Sequence, residues 1–163
     1  MLEDRYLSPP PDVEWLRALP EGTLGYAFAQ YLVENGLDQN LLRESAFIDA
    51  HHRRGEQVGF LPERGFQLHD MFHVLTGFDT SPLGEIRIVS FTVAQTTAPY
   101  PVFVIALRLL QAALYRPKLV SVLLDAITEG WALGRSARPL IPVHWEDHWE
   151  RSLQELRAEY RLA

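Results

Sequence analysis

His69, Asp70 and His73, followed by Glu85, gather four groups able to hold a cation or move a proton in a mostly apolar stretch, Leu68-His69-Asp70-Met71-Phe72-His73-Val74-Leu75-Thr76-Gly77. On an α-helix, positions 69 and 73 stand one turn apart on the same face. Asp70 is one position round from His69, near enough to join a site or to orient an imidazole. Neutral imidazole nitrogens and carboxylate oxygens suit a divalent cation, and two histidines with one carboxylate leave coordination positions open for catalysis. The competing reading is structural: a histidine on an apolar helix is commonly a satisfied core residue. Spacing alone leaves both readings open.

The elements that must position these groups are legible nearby. Gly77 ends the helical pattern, as a helix C-terminus prefers. Ser81 and Pro82 restart it as N-cap and first helical residue. Glu85 then falls in the first turn, one residue too far from Ser81 for a capping box, and is free to point back at the histidines. The pattern predicts a central helix over 61–76, with Phe66, Met71, Phe72 and Leu75 as its apolar partners. A second helix is predicted over 82–98. Ile86 to Val93 also has the β-branched character of a buried strand, but the Pro82 start and the length favour helix.

The rest of the chain supplies the scaffold. Residues 1–11, closing on Ser8-Pro9-Pro10-Pro11, read as an extended arm. Asp12 can cap a short helix bearing Val13, Trp15, Leu16 and Leu19. Thr23 can cap another carrying Leu24, Ala27, Phe28, Tyr31 and Leu32, stopped by Gly36. Leu41, Leu42, Phe47 and Ile48 fit one or two short helices within 38–60. His51-His52-Arg53-Arg54 reads first as a solvated helix end, and second as a contact for an acidic head group. Val102 to Tyr115 is almost wholly apolar, too short for a membrane span, and contains Arg108. Core packing is its first reading; a lipid-channel wall, a dimer face and a shallow membrane contact are the others. A helix over 119–135 carries Gly130 and Gly134, four apart, which admit a close backbone or ligand. A final helix is expected over 144–160, with Trp145, Trp149, Leu153, Leu156 and Tyr160 on one face. His144 and His148 form a second i, i+4 pair there and are read as surface residues. Strand signals are scarce, so the fold class is all-α: one domain over 1–163, of six to eight helices.

Composition narrows the function. The 163 residues are 47% hydrophobic and 22% charged, as in a soluble globular protein. A formal charge of -6 argues against general nucleic-acid binding. With no cysteine, disulfides, zinc ribbons and thiol catalysis are excluded. The acidic N-terminus has no apolar signal region, and a cytoplasmic location, at or near the inner face of a membrane, is expected. There is no Gly-rich phosphate loop and no nucleophile motif.

The motif His69-Asp70-x-x-His73, eleven residues, then Glu85 resembles the signature of the ubiquinone (coenzyme Q) biosynthesis protein four family. Flanking blocks support the resemblance from about residue 19 onward. Leu19-Pro20-Glu21-Gly22-Thr23-Leu24-Gly25 is similar to the family's N-terminal block, and Leu83-Gly84-Glu85 completes its central one. Gly130-Trp131-x-x-Gly134-x-x-Ala137-x-Pro139-Leu140, Trp145-Glu146-x-x-Trp149-Glu150 and Leu156-Arg157 resemble its C-terminal block. His144 and His148 are not positions of that pattern. The resemblance implies ubiquinone biosynthesis, peripheral membrane association and polyprenyl-lipid binding. The chemical step it implies is oxidative decarboxylation at ring carbon 1 of a prenylated 4-hydroxybenzoate-derived intermediate; the alternative is a non-catalytic scaffold for the other ubiquinone biosynthesis proteins. His69, His73 and Glu85 would ligate the metal, with Asp70 a fourth ligand or a hydrogen-bond partner that fixes a ring tautomer. Zinc is the first expectation, and iron or manganese suits the same donors. A polyprenylated quinone precursor is the expected ligand, its tail in an apolar groove or tunnel; a homodimer is a further expectation. A metal-dependent phosphohydrolase fits less well, because the additional histidines and aspartate of its metal cage are not evident.

Overall fold

A computed structural model describes residues 11–37, 56–96 and 98–162. Among these, seven α-helices form and no strand does, apart from one isolated antiparallel bridge between Thr23 and Ser152. The expected short helices between 38 and 55, and the His51–Arg54 cluster, lie outside the described residues.

Local chemistry accounts for the first helices. Asp12 caps α1 (Val13–Arg17) by accepting the Trp15 amide, and Thr23 caps α2 (Leu24–Asn35) by accepting that of Tyr26. Gly36, at φ 62°, closes α2 in the left-handed conformation. α3 (Glu56–Thr76) begins earlier than the pattern indicates and carries the central motif. Ser81 accepts the Gly84 amide to start α4 (Pro82–Gln95), which is helical throughout the β-branched stretch.

α4 ends at Gln95, not near 98, because Pro99 opens the next helix. α5 (Pro99–Tyr115) takes both Pro99 and Pro101 into its first turn, where the missing amides would have had no helical partner. A 3-10 turn over Pro117–Leu119 leads into α6 (Val120–Ser136). The core joins Leu24 and Phe28 of α2, Phe72 and Leu75 of α3, Ile88 and Phe91 of α4, and Trp145 and Leu156 from the C-terminal region. Gly130 and Gly134 of α6 meet backbone, as their spacing predicts. A Cβ at Gly130 would stand 2.1 Å from the Arg87 carbonyl oxygen, and one at Gly134 would stand 2.7 Å from that of Phe91.

Two expectations are corrected. The final helix over 144–160 is broken into a 3-10 turn (Trp145–His148) and α7 (Leu153–Tyr160). The break is tertiary in origin. The Leu24 and Gly25 amides at the start of α2 donate to the Arg151 and Trp149 carbonyls, each at 2.9 Å, and the Leu153 amide donates to Gly22 O at 2.9 Å. A continuous helix would have kept those carbonyls for itself. The second correction is α5. It is not a core helix: among its residues only Pro101 and Ala112 are buried.

Candidate metal centre

α3 and α4 bring His69, His73 and Glu85 together. The two imidazole Nε2 atoms are 3.3 Å apart. Glu85 Oε2 lies 3.3 Å from His69 Nε2, and Oε1 lies 3.2 Å from His73 Nε2. One donor atom from each residue can be chosen with all three inside 4.8 Å, and this is the one such histidine–carboxylate group among the described residues. Zinc–nitrogen bonds of about 2.0–2.1 Å in a tetrahedral site place neighbouring ligands roughly 3.3–3.4 Å apart, so the imidazole spacing fits such an ion.

The surroundings hold this arrangement in place. Gly77, at φ 77°, turns the chain back after α3. That turn carries the Phe78 carbonyl to His73, whose Nδ1–H donates to it at 2.8 Å and leaves Nε2 facing the cluster. The end of α3 is secured from a distant helix. Arg157 of α7 donates from Nε to Leu75 O at 2.9 Å and from Nη2 to Val74 O at 2.8 Å, satisfying two carbonyls that a helix end leaves open. The start of α4 is fixed as firmly. Asp79 Oδ1 accepts the Ser81 hydroxyl at 2.6 Å and its amide at 3.1 Å. A Cβ at Gly84 would lie 1.9 Å from the Asp79 carbonyl oxygen, so only glycine fits the position before Glu85.

Charge follows geometry. Burial alone would raise Glu85, but hydrogen bonds and charges from His69 and His73 hold its carboxyl at about 2. Burial alone would lower His73; its hydrogen bonds to Glu85 and Phe78, with the charges of Glu85 and Asp70, raise it above 6.5 instead. The cluster therefore attracts positive charge, whether a proton or a metal ion. His73 is fully buried, whereas the His69 and Glu85 side chains keep 31% and 41% of their exposure. One edge thus faces outward.

Asp70 is buried in α3, outside the three-residue group, and its charge acts on both His73 and Tyr31. Tyr31 carries no motif signal. Its ring stacks on His73 at 5.5 Å, and burial, then the charges of Asp70 and Glu85, raise its hydroxyl well above the usual phenol range. Arg64 is a second residue the sequence does not flag. It is buried in α3, donates to Val143 O at 2.8 Å and pairs with Glu146 at 3.5 Å. His144 precedes the 3-10 turn and is exposed, whereas His148, the last residue of that turn, is half-buried with its ring 6.0 Å from that of Trp145.

The Coenzyme Q (ubiquinone) biosynthesis protein Coq4 family model matches residues 5–163. The chain is 33% identical over 153 residues to the mitochondrial ubiquinone biosynthesis protein COQ4 homolog of Danio rerio, covering 93% of this chain and 53% of that one. It is 33% identical over 154 residues to the Bos taurus homolog, covering 91% and 53%. The chain thus spans about half the length of these relatives. A crystal structure of a candidate ubiquinone biosynthesis protein from Nostoc punctiforme is 27% identical with a TM-score of 0.80, covering 97% of this chain and 71% of that one.

Proposed function

As the chain belongs to the coenzyme Q (ubiquinone) biosynthesis protein Coq4 family, we propose that it acts in ubiquinone biosynthesis as a metal-dependent oxidative decarboxylase of a prenylated aromatic acid. The observation that carries this reading is the His69–His73–Glu85 cluster, one donor buried and two open along one edge. His69, His73 and Glu85 would hold a divalent cation, zinc first and iron or manganese otherwise, and such an ion stabilises negative charge developing on a substrate oxygen.

The remaining roles fall to the chain. The Phe78 carbonyl keeps the His73 proton on Nδ1. Asp70, outside the three-donor group, adds a negative charge that acts on His73 and Tyr31. Tyr31, held neutral, keeps a proton on its hydroxyl and is suited to donate it in a hydrogen bond to a phenolic or carboxylate oxygen. In the reaction the bond from ring carbon 1 to its carboxylate breaks, carbon dioxide leaves, and a hydroxyl takes the position. With water as the source of the hydroxyl oxygen, the step releases two protons and two electrons, and a co-substrate such as molecular oxygen, reduced to hydrogen peroxide, takes them up. The prenyl tail would lie in an apolar groove of the helical assembly, each buried methylene contributing about 0.8 kcal/mol.

The second reading is a non-catalytic polyprenyl-lipid scaffold that organises other ubiquinone biosynthesis proteins at a membrane. The apolar exterior of α5 favours it, since a surface of that kind serves docking rather than chemistry.

Elemental analysis of protein purified without added metal, native against a His69→Ala, His73→Ala double variant, tests the site. The expected result is about one equivalent in the native chain, lost in a variant with native circular dichroism. Turnover of the prenylated acid, lost in the variant, would then support the enzyme. No metal above background in native protein that still binds prenyl lipid would overturn the enzyme in favour of the scaffold.

A further inference from the structure

Among the described residues, the large apolar side chains left exposed are concentrated in one region. Eleven of the fourteen lie between Tyr100 and Trp131, on α5, the following 3-10 turn and α6. The outer stripe of α5 is its clearest part. Phe103, Leu107, Leu110 and Leu114 recur at spacings of four, three and four, so they share one face, and they are 63%, 41%, 56% and 65% exposed. Contiguous apolar surface on this scale marks an interaction site.

Charge selects the occupant. The chain carries a net charge of -6, yet no acidic residue lies between Glu85 and Asp125. The charges on that stretch are Arg87, Arg108, Arg116 and Lys118. Arg87 faces Glu129, and the other three are exposed on α5 and at its C-terminal end. A second copy docking through the same stretch would offer these three cations no acidic partner from it, since a two-fold interface pairs one patch with itself. An anionic lipid surface accepts both features: apolar side chains enter the acyl boundary while Arg and Lys meet the head groups. No helix among the described residues is long and apolar enough to cross a membrane, and α5, of 17 residues, is suited to lie in the interface plane.

We infer that the outer face of α5, with Phe103, Leu107, Leu110 and Leu114 as its apolar stripe and Arg108, Arg116 and Lys118 as its cations, is the surface by which this protein docks on anionic lipid bilayers. The inference deepens the lipid reading above by naming the face that meets the membrane. α5 packs against α4, the helix whose first turn carries Glu85.

The test is flotation of the full chain with vesicles of phosphatidylcholine alone or mixed with phosphatidylglycerol. It uses neither metal nor turnover, so it can fail without the enzyme reading failing, and the reverse. The native chain is expected to float with the mixed vesicles and to be released by salt. Phe103→Gln with Leu114→Gln removes two exposed side chains and should weaken binding roughly tenfold or more with no change in circular dichroism. Arg116→Gln with Lys118→Gln should weaken binding to the mixed vesicles by about fivefold per charge and leave the weak phosphatidylcholine binding unchanged. A native chain that ignores both vesicle types overturns the proposal. So does binding that both double variants retain in full. Sedimentation gives a third check: a native dimer that Phe103→Gln, Leu114→Gln splits into monomers would make this face a self-interface and overturn the lipid assignment.

Discussion

The α3–α4 cluster and the outer face of α5 depart from ordinary burial in opposite directions. At the cluster, charged and polar groups are taken inward: His73 is fully buried, Asp70 nearly so, and Arg157 reaches in from the far end of the chain. On α5, Phe103 and Leu114 are left outside. The cluster is over-determined, with its groups restrained by hydrogen bonds, close packing or charge, while the stripe on α5 touches little. Polar groups placed inside must be satisfied or they unfold the protein. Apolar groups placed outside threaten only solubility, so they can be kept for a partner. Stability should therefore concentrate around the cluster and be nearly independent of the stripe.

The packing of α6 on α4 gives the first test of that contrast. α6 turns its small side inward, through Ala126, Gly130 and Gly134, and leaves Leu124 and Trp131 exposed. A methyl group at Gly130 meets the Arg87 backbone, which cannot move aside without shifting α4. Gly130→Ala is expected to destabilise the chain by about 3 kcal/mol in urea unfolding. A loss below about 1 kcal/mol would mean that α4 is free to slide, and that Glu85 is held less firmly than its surroundings indicate.

Arg157 comes next. Its two bonds to Val74 and Leu75 tie α7 to the end of the helix bearing both histidines, and burial lowers its pKa. Arg157→Gln should destabilise by roughly 2 kcal/mol. Amide exchange at Gly77 and Phe78, whose backbone groups lie at that helix end, should quicken more than exchange in α5. Uniform quickening would mean that the cap secures the fold at large and not this end of α3.

Zinc uptake against pH probes the cluster itself, at a smaller scale. Imidazole must lose its proton to ligate, so protons compete with the ion. The His73 pKa is raised, so competition should set in above pH 6.5 as the pH falls, and apparent affinity should drop about tenfold per pH unit below that pKa. Glu85→Gln removes the carboxylate that raises His73 and should move the onset to lower pH while weakening affinity throughout. Uptake unchanged down to pH 5 would remove His73 from the ligand set.

These regions differ as much in how well they can be read from sequence. The cluster is legible because its signals are local: the HxxxH spacing, Gly77, the Ser81-Pro82 start and the offset of Glu85 from a capping box all lie within one short stretch. Its supports are not. Arg157 acts across 83 residues, and Tyr31 reaches His73 from another helix. The break before α7 has the same origin, since the Trp149 and Arg151 carbonyls are claimed by Leu24 and Gly25. For α5 the sequence is silent in another way. A helix apolar on nearly every side looks the same whether a core or a membrane covers it, and only the packing of α4 against α6 decides which side is left over. The three blocks of the family pattern do meet in space: residues 22–25 bond to 149–153, Gly130 and Gly134 seat α4, and Arg157 caps α3. Much of that pattern is thus the scaffold of the cluster.

The smallest expected effect cuts the comparison most sharply. Phe72 and Phe103 are the same side chain in opposite settings, one fully buried against Phe91 at 5.3 Å and the other 63% exposed on α5. Truncating a buried phenylalanine removes its transfer energy and leaves a cavity, so Phe72→Ala should cost about 3–5 kcal/mol. Phe103→Ala removes a side chain already mostly in water and leaves no cavity, so the change should stay within about 0.5 kcal/mol. Urea unfolding of both variants, run at low protein concentration, measures the difference directly. If Phe103→Ala instead costs more than about 1 kcal/mol, and the cost grows as the native chain is concentrated, the side chain is buried by another copy and the stripe belongs to an assembly. If it costs nothing at any concentration yet lowers vesicle binding, Phe103 contributes to docking and not to folding.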